Sequence, residues 1–128
     1  MSTPNLAITH LTASQNNKVV TANTAFDDLD AALCGNTSQA MPDSDLTLDT
    51  TEFLTHMLLI FTGALSADRN VILPAHAKPF IVVNNTTGSP SAFNLTFKVG
   101  TGAASVVISD TDAHMLFSDG VNSVYKVS

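Results

Sequence analysis

The chain is poor in charge. Only 16 of its 128 residues are ionised at neutral pH, five Lys or Arg and eleven Asp or Glu, about half the usual share for a soluble domain. With so few basic residues, no cluster of the kind that holds phosphates is present, which argues against nucleic-acid binding. There is one cysteine, Cys34, so neither an intrachain disulfide nor a cysteine metal cluster is expected. A small buried side chain at a helix end is the expected place for it. Tryptophan is absent and Tyr125 is the only tyrosine, which speaks against the exposed rings that sugar-binding sites stack on. No apolar run reaches the roughly 18 residues needed to cross a bilayer. The N-terminus lacks a basic stretch followed by an apolar one, and cytoplasmic synthesis is expected.

Polarity comes instead from 16 Thr, 12 Ser and 10 Asn. The acid is concentrated: residues 1–52 carry seven acids against one base, and residues 53–128 carry four of each. The whole formal charge of −6 therefore belongs to the first 52 residues.

Three segments follow from the pattern: an N-terminal arm and helix over 1–35, a linker over 36–45 and a β module over 46–128. The arm, residues 1–14, has Leu6, Ile8 and Leu11 as anchors, and such arms gain order by lying on a neighbour. Residues 15–34 predict a helix. Val19, Ala22, Phe26, Leu29 and Leu33 fall at the a and d positions of two heptads, a narrow seam suited to self-association as well as to docking on the chain's own body. Thr21 or Asn23 is the expected N-cap, and Gly35 the residue that ends the helix in a left-handed turn. Residues 35–45 lack periodicity and read as linker.

From Leu46 onward the residues predict strands near 45–49, 54–61, 69–73, 79–84, 92–99, 104–109, 113–118 and 122–127. Asp119-Gly120 predicts a type I′ hairpin. The expected fold is mainly β, the arm and helix being followed by a small antiparallel β-sandwich or jelly-roll-like module. Leu58-Leu59-Ile60-Phe61 and Phe80-Ile81-Val82-Val83 are continuous apolar runs. Such runs call for cover on both faces, more than about 80 residues supply alone, so an oligomer is expected.

Catalytic patterns are missing. There is no GxSxG, no HExxH and no Cys/His pairing, and the Asp110/Asp112 pair flanks a turn. His10, His56, His76 and His114 lie in separate segments without metal-site spacing. Neither an enzyme nor a resident metal or other cofactor is expected. The surface positions offered to a ligand are Asn84 and Asn85, in a loop over 84–91, and Asp110 and Asp112 in the loop over 110–112.

Two stretches carry a resemblance. Ser14-Gln15, Lys18, Val20-Thr21, Asn23, Ala25 and Leu29-Asp30 follow the form SQxxKxVTxNxAxxxLD, after the arm Pro4-Asn5-Leu6-Ala7-Ile8. This resembles the N-terminal segment of virion proteins of tailed bacteriophages and phage-like gene transfer agents. Leu65-Ser66-Ala67-Asp68-Arg69-Asn70-Val71, Val82 to Gly88, Gly100-Thr101-Gly102 and Ser118 to Asn122 look like the small β modules of phage fibres and spikes. The resemblance implies a virion protein made in a bacterial cytoplasm: a homotrimeric short spike, fibre base or adaptor. It would join tail, baseplate, neck or head proteins through its N-terminal segment. Leu6, Ile8, Val19, Ala22, Phe26, Leu29 and Leu33 are the residues expected to carry oligomerisation and attachment. The alternative is a β-sandwich module that binds host-surface glycan. Neither nucleic acid nor membrane insertion is expected.

Overall fold

The computed structural model describes residues 1–88, 93–102 and 104–128. Helix α1 is Lys18–Cys34 and α2 is Thr50–Leu54. The strands are β1 Asn36–Ala40, β2 Leu46–Thr47, β3 Leu58–Leu65, β4 Arg69–Leu73 and β5 Ala77–Gly88, then β6 Leu95–Val99, β7 Val106–Ile108, β8 Ala113–Asp119 and β9 Val124–Lys126. They build two mixed sheets, one ordered β1-β3-β5-β8-β9 and the other β2-β4-β6-β7.

The first six strands alternate between the two sheets, and each runs parallel to the strand one turn earlier. The chain therefore winds through three turns of a flattened coil. Leu46 pairs with Val71 and Val71 with Phe97, while Asn36 pairs with Leu58 and Leu58 with Ile81. One turn is 22 to 26 residues by these registers. Strands β7, β8 and β9 then close the far side antiparallel. The antiparallel sandwich expected from the sequence is corrected here: among the described residues four of the seven strand pairings are parallel. Turn residues mark where a strand stops but not whether the next one returns beside it or crosses to another sheet.

Phe53, Phe61, Phe80 and Phe97 are fully buried between the sheets. Their rings meet edge to face, Phe53 on Phe80 at 5.2 Å and Phe61 on Phe97 at 5.3 Å between centroids. Leu59, Val71, Val82, Leu95, Ile108 and Leu116 fill the space around them.

Carboxylates join consecutive turns at the corner that leads into the second sheet. Asp45 accepts from the backbone and side-chain nitrogens of Asn70, and Asp68 accepts from the backbone N–H of Asn94. Asp43 accepts from the backbone and hydroxyl of Ser66 and from Arg69 at 2.8 Å. These groups satisfy donors where the chain turns and no ladder partner is at hand.

Several local expectations change. Residues 36–40, read as linker, form β1 against β3. The strand expected over 54–61 begins only at Leu58, because Asp49 caps α2 by accepting from Thr51 and Glu52. The N-cap of α1 is Asn17, in a left-handed conformation and without a side-chain cap. Gly35 is extended rather than left-handed. It is needed for space: a Cβ there would lie 2.3 Å from the Thr55 carbonyl oxygen and 2.5 Å from that of Ala31. The β8–β9 hairpin forms, but Asp119 draws out its loop by accepting from Val121, Asn122 and Ser123. Cys34 is exposed, not buried.

Two outcomes follow. Gly35→Ala should destabilise the fold by about 2–3 kcal/mol through overpacking, read as a lower urea midpoint. Hydrogen bonds from Ser66, aided by Arg69, pull the Asp43 carboxyl down to about 2, and those from Asn70 lower Asp45. A folded pKa below the unfolded value stabilises the fold above that unfolded value, about 3.9 for Asp. The contribution is lost as pH falls through the folded value. Thermal midpoints should therefore drop between about pH 4 and pH 2, and Asp43→Asn should flatten that drop; an unchanged acid limb would refute the clamp.

Candidate functional site

On helix α1, Thr21, Ala25, Asp28 and Ala32 recur every three or four residues and are all shielded from full exposure, Thr21 by the Gln15 amide of the arm and Asp28 across a pocket shared with Leu6 and α2. Ala32 is its one buried residue. The small side chains thus face inward and the large ones do not. Val19 is 72% exposed, Phe26 67%, Leu33 62% and Leu29 40%, so four of the five seam positions stand in water, with Ala22 half-buried at the margin. The seam does not dock on the chain's own β body.

The arm behaves differently. Ile8 is buried and Leu6 packs on the core. Thr3 holds Ile8 through its hydroxyl, and the Asn5 carbonyl meets the His76 ring at 2.8 Å. Leu6 and Ile8, expected to reach a neighbour, are instead spent on their own chain. Of the residues expected to carry oligomerisation and attachment, Val19, Phe26, Leu29 and Leu33 remain exposed, with the half-buried Ala22 beside them.

The strand runs that called for cover supply a second exposed surface. Strand alternation sends Leu59, Phe61, Phe80 and Val82 into the core. It sends Leu58, Ile60, Ile81 and Val83 to the outer face of the five-stranded sheet, where each is half-buried. Register sets Leu58 beside Ile81 and Ile81 beside Met115, and Pro79 beside Phe117 and Phe117 beside Tyr125. Phe117 is 38% exposed and Tyr125 55%. Among the described strand residues the only charged side chain on this face is Asp119, at its margin. By contrast, the outer face of the other sheet carries Lys98 between Thr96 and Ile72. The sequence marks this apolar face through its continuous runs, but pairing register was needed to join Met115 and Phe117 to it.

The structure places the four expected surface positions in strand β5 and in the turn before β8. Asn84 is buried in β5, where its amide donates to the carbonyls of Phe93 and Ile108 and its oxygen accepts from Thr86. Asn85 is exposed but lies within the same strand, not in a loop. Residues 89–91 of that expected loop, and residue 92 of the strand expected over 92–99, lie outside the described residues. Asp110 accepts from the backbone of Asp112 and meets the His114 ring at 2.7 Å, closing the turn before β8. These contacts lower Asp110, His114 leading; His114 itself is raised by the Ser128 carbonyl and then by Asp110. Among the described residues no group of three or more His, Cys, Asp or Glu is placed to hold a metal ion. A pocket of about 270 Å³ lies between the arm, α1 and α2, lined by Leu6, Asp28, Thr51 and Leu54 among others.

One buried cation was missed from the sequence. Lys78 is 2% exposed in β5. Its ammonium donates to the carbonyls of His56 and Pro79 and sits 5.5 Å from the Phe53 ring centroid. It tethers the segment between α2 and β3 to β5. Burial pushes it down to about 8. A Lys whose folded pKa lies below its unfolded value costs stability at every pH below the folded value, and the cost is relieved as pH rises toward the unfolded value. Stability should therefore climb between about pH 8 and pH 10.4. Lys78→Met should equal or exceed the wild type at pH 7, by about 1–3 kcal/mol, and lose that climb. A Lys78→Met protein less stable at pH 7 would show that the tether outweighs the buried charge.

No family model matches the chain, and neither a curated protein nor a solved structure matches it significantly.

Proposed function

We propose that the chain is a structural subunit of a tailed-bacteriophage or phage-like particle, a homotrimeric short fibre, spike or fibre base. The observation that carries the self-assembling part is the exposed seam of α1. Val19, Phe26, Leu29 and Leu33 lie at heptad spacing in water while Ala25 and Ala32 of the same helix take the inner side. Large apolar residues held in a regular stripe are costly to leave wet, and on a 17-residue helix they gain most from copies of the same chain. The virion setting rests on the resemblance of the helix and of the β segments. A coil stiffened by stacked strands and carboxylate clamps suits a mechanical part, and its loops assemble no chemical site among the described residues. A glycan-binding role has less support, because Asn84 is consumed inside the fold and Asp110 in its own turn.

Light scattering on the purified chain should give three times the monomer mass. Phe26→Asp with Leu33→Asp should give a folded monomer, since both positions are exposed within the subunit. A wild-type monomer at tens of micromolar would overturn the assembly, and failure of a specific antibody to label purified particles would overturn the virion role.

A further inference from the structure

The molecule carries two uncovered apolar surfaces of different shape. One is the α1 seam; the other is the outer face of the five-stranded sheet, with Leu58, Ile60, Ile81, Val83, Met115 and Phe117. We infer that they are each other's partners: the α1 seam of one copy lies on the outer sheet face of the next, in a head-to-tail ring. The inference rests on the proposed self-assembly and specifies its geometry.

Three observations favour this pairing over a helix-only coil. The seam spans only two heptads, short for a coil that stands alone in water. Of the three g positions that flank such a seam, Lys18, Ala25 and Ala32, the two alanines are already shielded within the helix's own chain. A coil of helices would also leave the sheet face as wet as before. Parallel strands built from continuous apolar runs belong to sheets with helices on both faces, and among the described residues neither α1 nor α2 packs on this outer face. The fit in length and charge is good. From Val19 to Leu33 the seam is about 21 Å long, against roughly 26 Å for a strand of eight residues such as β3. The acids of α1 at Asp27 and Asp30 lie off the seam, and the sheet face presents no charge except Asp119 at its edge. A helix from one copy on a sheet of the next is a heterologous contact, which closes into a ring when its rotation is a third of a turn.

Complementation between two variants tests this. Phe26→Asp spoils the seam and leaves the sheet; Ile81→Asp spoils the sheet and leaves the seam. Each alone should run as a monomer, with circular dichroism like that of wild type. Mixed one to one, they should form a heterodimer and go no further, because only the intact seam of one variant meets the intact sheet of the other. Phe117→Asp, at a more exposed position, replaces Ile81→Asp should the latter fail to fold. If the mixture stays monomeric while the wild type is a trimer, or if the sheet variants still form trimers, the helix-on-sheet contact is wrong and the proposed assembly stands by another route. A monomeric wild type would remove both.

Discussion

The fold depends on one chain of aromatic contacts. Phe53 of α2 meets Phe80 of β5, Phe80 lies 6.4 Å from Phe97 of β6, and Phe97 meets Phe61 of β3. These four rings are the common floor of both sheets and of the short helix between them. A coil whose strands alternate between layers has no hairpins in its first three turns to hold neighbours together, so cohesion across the layers must come from the core. Edge-to-face rings give that core direction as well as burial. They set which strand lies over which, and the carboxylate clamps at the corners then hold consecutive turns in step.

Much of this was legible, though unevenly. Alternation in Phe93 to Val99 pointed to a half-buried strand, and β6 has Leu95, Phe97 and Val99 inside. The limits of β4 agree with expectation because Arg69 and Pro74 punctuate both ends. Parallel stacking was not recognised, yet it left a trace. Leu46-Thr47-Leu48, Val71-Ile72-Leu73 and Phe97-Lys98-Val99 are one apolar-x-apolar unit repeated at intervals of 25 and 26 residues. Three degenerate copies in side chains of different size are hard to see without knowing that the copies stack. Helix α2 had a signal too, Asp49 three residues before Glu52, a pairing characteristic of helix starts; the apolar run just downstream masked it.

The candidate surfaces were legible in kind but not in membership. Heptad spacing identified the seam of α1, because periodicity along one helix is a local property. The seam's exposure depends on where Thr21, Ala25, Asp28 and Ala32 rest, and that is tertiary. The arm shows the reverse: Leu6 and Ile8 look free in sequence, but a polar hook on His76 and the core beneath Leu6 fold them inward. Asn84 is the sharpest case. Asn-Asn-Thr-Thr-Gly has the composition of a turn, yet the buried amide at position 84 meets two carbonyls and a threonine. Turn-forming residues and residues that satisfy buried polar groups are the same few types.

The antiparallel return of β8 has a consequence for the order of events during synthesis. Each turn of the coil joins residues only 22 to 26 apart and is available as soon as the next turn has emerged. Strand β8 joins β5 across longer spans, thirty residues at Val83 with Ala113 and forty-two at Ala77 with Asp119. Contacts of greater span form later, since more chain must be ordered to make them. The outer face that includes Met115 and Phe117 is therefore finished last. In the proposed assembly a nascent chain would have its helix early but its complete docking face only near the end, so the order of folding would itself delay association until the chain is whole.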